Sequence, residues 1–323
     1  MILVTGASGF IGRALCASLV SERFRVRGTG RSKARPSNLA DYVCCDLEQE
    51  SELDQLCQGV DTVIHLAGRA HVLNDTSADP AAAFKVANVE VTVKLAQAAQ
   101  RQGVRRFIFL SSIGVHTGET ADHIAISEDS PCVPTQFYGV SKLEAERRLT
   151  ELTQASGMEL VVIRPPLVYA GDAPGNFHRL MAIISKGLPL PFMYVRNQRS
   201  MVARENLVDF VHLCIKHPLA ANQTFVISDG VDVSTPEIVQ WLASGMGRSP
   251  RLFAFPTWLL GTGLSVLGRK TMYSQLCKSL VIDSGKSRDL LGWVPPAKPA
   301  QALFAAGQYF ASNGKDGLGA AKR

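Results

Sequence analysis

The chain has 323 residues, enough for one large domain or two modest ones. Hydrophobic residues make up 46% and charged residues 19%, which supplies a sizeable core and excludes an intrinsically disordered chain. The 34 basic against 28 acidic residues leave a net charge of +6, part of it in a Gly/Ala-rich tail with Lys315, Lys322 and Arg323, and no Lys/Arg block with interleaved aromatics points to nucleic acid.

Short apolar runs alternate with helical patterns through the first half. Ile2–Thr5 reads as a strand, Ile11–Arg23 as a helix, and Arg25–Thr29, Tyr42–Cys45 and Thr62–Leu66 as strands. Ala81–Gln102 reads as one long helix, Arg106–Ser111 as an apolar strand, Phe137–Ser156 as a helix and Leu160–Arg164 as a strand. Strands that are apolar throughout and separated by helices predict an α/β fold, a doubly wound parallel sheet covered on both faces. After Pro165-Pro166 the rhythm changes: Gly171, Pro174, Gly175, Gly187, Pro189 and Pro191 punctuate shorter elements. The expected division is a main domain over 1–170 and a smaller, partly interleaved C-terminal lobe over 171–311. Within that lobe 205–230, with the strand Thr224–Ser228, returns to the main sheet, and 312–323 is a frayed tail.

The seven cysteines are odd in number and hold no CxxC pair, so neither a disulfide framework nor a zinc site is expected, and no histidine spacing suggests a metal. Met1-Ile2-Leu3-Val4 runs directly into a glycine loop without the basic region of a signal peptide. The most apolar later stretch, Leu252 to Leu267, is broken by Pro256, Gly261 and Gly263 and is short for a span of about 20 residues. Trp258 with Leu259-Leu260 is assigned to the core of the small lobe rather than to a membrane-contacting lid, no stable membrane insertion is expected, and a cytoplasmic location is the default reading.

Thr5-Gly6-Ala7-Ser8-Gly9-Phe10-Ile11-Gly12 follows a strand and opens a helix, as a dinucleotide-binding loop does. Gly6 permits the tight turn, Gly9 lets the backbone approach a pyrophosphate, and Gly12 allows close helix–strand packing. The free N–H groups of the helix start suit phosphate. At the end of the second strand stands Gly30-Arg31-Ser32-Lys33, with no carboxylate for a ribose hydroxyl. Arg31 can pair with a 2′-phosphate, so NADP(H) is the preferred cofactor and NAD(H) a possible one.

Tyr138 and Lys142 lie at i and i+4 of a predicted helix and share a face. A nearby ammonium is expected to lower the tyrosine's pKa from about 10, making Tyr138 a general acid or base. Ser111-Ser112 ends a strand at the carboxyl edge, where ligands sit in such sheets.

With Asp46-Leu47, His65-Leu66-Ala67-Gly68, Asn88 and Arg164-Pro165-Pro166-Leu167-Val168-Tyr169, these motifs make the chain resemble the extended short-chain dehydrogenases/reductases of the NAD-dependent epimerase/dehydratase family, to about Pro295. The resemblance implies a Rossmann fold and assigns roles. Gly6, Ser8, Gly9, Phe10, Ile11 and Gly12 would bind the cofactor. Asp46 and Leu47 would flank its adenine. Leu66, Ala67 and Gly68 would pass beside its phosphates and ribose, and Asn88 would order the central helix and sheet. Ser112 would be the catalytic hydroxyl with Ser111 beside it, Tyr138 the acid or base, and Lys142 also the holder of the nicotinamide ribose, with Pro165 and Val168 walling the ring. Asn176 and Phe177 would grip the diphosphate or the uracil of a nucleotide sugar, and Arg199 would pair with the diphosphate.

Two positions depart from the family's epimerases. The stretch Thr271-Met272-Tyr273-Ser274 lacks a second diphosphate arginine, leaving Arg269, Lys270 and Lys278 nearby, and His116-Thr117 replaces a common Tyr-Gly. The resemblance is nearest to bacterial UDP-4-keto-6-deoxy-sugar 4-reductases that form UDP-N-acetylquinovosamine for surface polysaccharide, with a UDP-hexose 4-epimerase and a non-catalytic dinucleotide-binding scaffold as alternatives. A homodimer is expected, with Val89, Val93, Ala96 and Leu149 serving either a helical bundle or the cover of the sheet. His65 reads as a core histidine, Glu144 and Glu146 as a solvated face, and Asp172 as a turn residue.

Overall fold

The computed structural model describes residues 1–33, 35–48, 53–70, 79–120, 124–266 and 270–313, the backbone alone for 263–266 and 270–272. His71, His123, Arg269 and the expected tail from 314 onward lie outside the described residues.

Seven strands form one parallel sheet: β1 (Ile2–Thr5), β2 (Val26–Gly30), β3 (Asp41–Cys44), β4 (Thr62–His65), β5 (Arg106–Leu110), β6 (Glu159–Arg164) and, after the short parallel pair β7 (Leu167–Tyr169) and β8 (Met201–Ala203), β9 (Gln223–Val226). Their order is β3-β2-β1-β4-β5-β6-β9, so the chain reverses its direction of travel between β1 and β4, and β9 pairs with β6. Successive side chains of a strand point to opposite faces, and both faces are covered. Ile2, Val4, Ile108 and Ile163 pack under α1 (Phe10–Ser21) and α7 (Arg204–Lys216). Leu3, Val63, Phe107 and Val162 pack under α2 (Leu53–Cys57), α4 (Val91–Arg101) and α5 (Phe137–Ser156).

A third core belongs to the C-terminal lobe, where α6 (Gly175–Ser185), α8 (Thr235–Gly245) and α12 (Pro299–Asn313) meet. Ser234 caps α8 with a reciprocal capping box to Glu237. The helices α9 (Thr257–Val266) and α10 (Lys270–Cys277) pack together beside this core, and α11 (Gly285–Leu291) returns to the sheet. No helix among the described residues is long and apolar enough to cross a membrane.

Three expectations change, and one left open is decided. The long helix is divided into α3 (Pro80–Lys85), one π-helical turn over Val86–Glu90 and α4, with Asn88 inside the turn. Val89, Val93, Ala96 and Leu149 are all buried within their own chain, so they cover the sheet and leave nothing for a bundle. Trp258 is 67% exposed rather than in the small lobe's core, while Leu260 packs against that core; residues two apart on a helix point about 200° apart, and only one of them can face inward. Arg106, read as part of an apolar strand, is a fully buried cation: it pairs with Glu159 at 2.6 Å and donates to the carbonyls of Cys214, Ile215 and His217 at the end of α7.

Candidate functional site

The loop between β1 and α1 has the backbone a phosphate cradle needs. Gly6 has φ +67°, its carbonyl accepts from Gly9 N–H at 2.9 Å, and Gly9 is the extended residue before α1. A Cβ at Gly12 would stand 2.1 Å from the Gly6 carbonyl oxygen, so only glycine lets the helix start this close to the strand. Asp172 is not merely a turn residue. Its carboxylate bridges Arg13 on α1 (3.4 Å) and Arg204 on α7 (2.5 Å), and Arg204 lies 4.8 Å from the Phe10 ring centroid. The start of α1 is thereby tied to the second lobe.

The loop after β4 is held to α5 by Asn88. Asn88 Oδ1 accepts from Arg69 N–H at 2.7 Å, and Nδ2 donates to the Arg69 carbonyl (3.1 Å) and to Ser141 Oγ (3.0 Å). Ser141 in turn donates to the Tyr138 carbonyl at 2.8 Å. The π-helical turn swings this amide inward; such turns recur at functional sites. A Cβ at Gly68 would sit 3.0 Å from Asn88 Oδ1 and 3.5 Å from Lys142 Nζ. The glycine therefore opens space beside the lysine. His65 beneath it is buried between Thr5 Oγ1 (2.7 Å) and Thr92 Oγ1 (2.9 Å), and burial with the Lys142 charge holds it neutral, at about 3.

Ser112 begins the 3₁₀ turn Ile113–Val115 after β5 and accepts from Gly114 N–H at 3.1 Å. Tyr138, on the first turn of α5, faces it. Gly139 sets this approach: a Cβ there would stand 2.1 Å from the Gly114 carbonyl oxygen. Gly139→Ala is therefore expected to push α5 off the turn and lower kcat by about 10² with Tyr138 and Ser112 both intact. An unchanged kcat in a folded variant would show that the contact does not align them.

The electrostatics reverse one expectation. Burial pushes the Tyr138 phenol up to about 12, and the facing Ser112 hydroxyl offsets this only in part. The Lys142 ammonium does not lower it. Lys142 is buried, donates to the Leu110 carbonyl at 2.9 Å, lies 4.5 Å from the Phe109 ring centroid, and is itself driven down to about 8 by burial, against the opposing pull of Glu146. The phenol thus stands as a proton donor at neutral pH.

Glu146 is not a solvated acid. It is buried on α5, accepts from the Ser111 hydroxyl, and takes two bonds from Arg164 (Nε 3.1 Å, Nη2 2.6 Å). Arg164 Nη1 donates to His116 Nε2 at 2.9 Å, which leaves the His116 proton on Nδ1, facing the Pro131 carbonyl at 3.2 Å. Burial and the Arg164 charge keep His116 below the ordinary histidine range. The Ser111 side chain is thus committed to the interior rather than to a cofactor. The sequence reading missed this chain of contacts; Glu146, one turn beyond Lys142 on the face that turns inward, was its only signal.

The remaining candidates divide. Asp46 and Arg31 are exposed near the carboxyl ends of β3 and β2, whereas the Leu47 side chain is in the core. Leu66, Ala67 and Val168 are half-buried, and Pro165, three residues before Val168, is buried, its carbonyl accepting from Ile113 N–H at 2.9 Å. Asn176 donates to Gln275 on α10 at 2.8 Å, while Phe177 packs in the lobe core, 5.8 Å from the Tyr169 ring, and is not free to grip a ligand. Arg199 is buried, donates to the Lys278 carbonyl at 3.2 Å, and burial lowers it to about 10.

Comparison with known proteins adds to this geometry. The model of the NAD dependent epimerase/dehydratase family matches residues 2–228. A UDP-glucose 4-epimerase of Vibrio cholerae is 37% identical over 297 residues, covering 91% of this chain and 90% of that protein. An N-acetyl-alpha-D-glucosaminyl-diphospho-ditrans,octacis-undecaprenol 4-epimerase of Escherichia coli O157:H7 is 26% identical, covering 95% and 94%. Among solved structures, a UDP-glucuronic acid 4-epimerase from Bacillus cereus in complex with NAD superimposes with a TM-score of 0.77 at 22% identity, covering 96% of both chains.

Proposed function

The chain belongs to the NAD dependent epimerase/dehydratase family, and from that premise we propose that it acts at C4 of a UDP-linked hexose as a 4-epimerase. The observation that carries this reading is the Ser112–Tyr138–Lys142 cluster at the carboxyl end of β5, opposite the glycine loop and beside the opening at Gly68. The loop fits a dinucleotide: Gly6, Gly9, Gly12 and the start of α1 would hold the pyrophosphate, Asp46 the adenosine side, and Lys142, Pro165 and Val168 the nicotinamide riboside. NAD, when bound, supplies the hydride acceptor and donor for C4.

The chain's own residues then handle the proton. Tyr138 would act as the phenolate when O4 gives up its proton and as the phenol when O4 takes it back; burial holds it as the phenol, so the positive charge of bound NAD would have to favour the phenolate, and Ser112 would bond the same oxygen. Asn176 and Arg199 would pair with the diphosphate. Lys142 keeps its proton below about pH 8 and loses it above. A rate that depends on the ammonium should therefore fall on the alkaline side, with kcat/KM breaking near pH 8. A profile flat from pH 7 to 9 would remove the lysine from this role.

A second reading, reduction of a UDP-4-keto-6-deoxy sugar to UDP-N-acetylquinovosamine, is favoured by the phenol being held protonated and by Arg31, which suits NADP(H). The two separate cleanly. Incubation with UDP-glucose or UDP-N-acetylglucosamine alone should interconvert the C4 isomers without net consumption of reduced cofactor. Net oxidation of NADH or NADPH, seen only with the 4-ketone, would replace the first reading with the second.

A further inference from the structure

The C-terminal lobe carries a face that the proposed C4 chemistry does not use. Segments 188–194 and 251–259 run side by side. Leu190 N–H donates to the Arg251 carbonyl at 2.8 Å, Phe253 N–H to the Leu190 carbonyl at 3.0 Å, and Met193 N–H to the Phe253 carbonyl at 3.3 Å. Their inner side is core: Leu190, Phe192, Leu252 and Leu260 pack with α6, α8 and α12. Their outer side is apolar as well. Leu188, Met193, Tyr194, Phe253, Trp258 and Leu259 are all exposed, Tyr194 to 61% and Trp258 to 67%. Contiguous exposed apolar surface of this kind marks an interaction site.

Charge identifies the occupant. A chain with 28 acidic residues has none between Asp172 and Glu205 and none between Glu237 and Asp283, the two stretches that build this face. Lys186, Arg196, Arg248 and Arg251 are exposed in them. Arg248 reaches back over the strip, its Nη1 3.7 Å from the Cβ position of Gly187. Tyrosine and tryptophan tips among cations, with no carboxylate in either stretch, match the interface of an anionic bilayer, where aromatic rings settle at the headgroups and cations meet lipid phosphate. A symmetric contact with a second copy would set the same cations against each other. At ten residues α9 is too short to span a bilayer.

We propose that this face of the small lobe is a peripheral docking surface for an anionic phospholipid membrane, with Tyr194 and Trp258 entering the headgroup layer. The full-length chain should co-sediment with phosphatidylglycerol/phosphatidylcholine vesicles, not with phosphatidylcholine alone, and added salt should release it. Arg248→Gln with Arg251→Gln should weaken partitioning by about tenfold, and Trp258→Ser should weaken it further. Brominated lipid should quench the tryptophan emission of the wild type but not of Trp258→Phe. Because these side chains are exposed, circular dichroism should be unchanged in every variant. Absence of binding to phosphatidylglycerol vesicles at low salt would overturn the proposal, as would binding that survives all three substitutions. Self-association without vesicles that disappears in Trp258→Ser would reassign the face to a second copy. None of these readouts depends on the C4 reaction, so the two proposals stand or fall separately.

Discussion

Tyr138→Phe is expected to lower kcat by about 10³-fold while leaving the fold and cofactor affinity as they were. General acid–base catalysis by one side chain contributes between about 10² and 10⁴ in rate, and Tyr138 is the one phenol at the Ser112 turn. The substitution removes an oxygen and adds nothing, so α5 still seats Gly139 against Gly114. Steady-state rates on UDP-glucose, together with NAD titration by fluorescence, measure the two quantities separately. A variant with more than a tenth of the wild-type kcat would mean that the proton travels by another route. The same experiment with Ser112→Ala should give a smaller loss, because the serine only bonds an oxygen that the phenol protonates.

Glu146→Ala is expected to destabilise the protein by about 3–5 kcal/mol, the cost of leaving the buried Arg164 guanidinium without its carboxylate. Three neighbours lose a partner together: Ser111, Arg164 and, through Arg164, His116. Urea unfolding reads the loss directly. Glu146→Leu combined with Arg164→Met should recover most of it, because a buried ion pair replaced by apolar groups of similar size is often neutral. A single-variant loss under 1 kcal/mol would show that water reaches the pair. Ser111 and His116 bracket the turn that carries Ser112, so activity should fall in Glu146→Ala even at temperatures where the variant is folded.

Much of the nucleotide-binding half was legible because its signals are local. A glycine loop between an apolar run and a helix needs no tertiary information, and neither do strands apolar on both faces. The strand pattern also anticipated that Thr224–Ser228 returns to the main sheet, and the structure adds that β9 pairs there with β6. The errors came where one residue's environment is set by distant segments. Glu146 looked like one charge among several on α5, and its burial follows from Arg164 on β6 and Ser111 after β5. Lys142 was expected to act on the phenol one turn away. Instead the Leu110 carbonyl and the Phe109 ring take up its ammonium. Phe177 matched a ligand-gripping loop in the sequence, yet its ring fills the core of the second lobe.

By itself the sequence determined the doubly wound sheet and the glycine turn at Gly6, Gly9 and Gly12, since backbone geometry and hydrophobic period are properties of short stretches, and it put forward Ser112, Tyr138 and Lys142 as candidates. Only the tertiary structure decided the protonation of the site and the exposure of its surfaces. A pKa depends on everything within several ångströms of a group, and here burial outweighs the Ser112 hydrogen bond at Tyr138. Whether Trp258 faces core or solvent depends on which side of α9 meets the lobe, and spacing along the chain does not encode that choice.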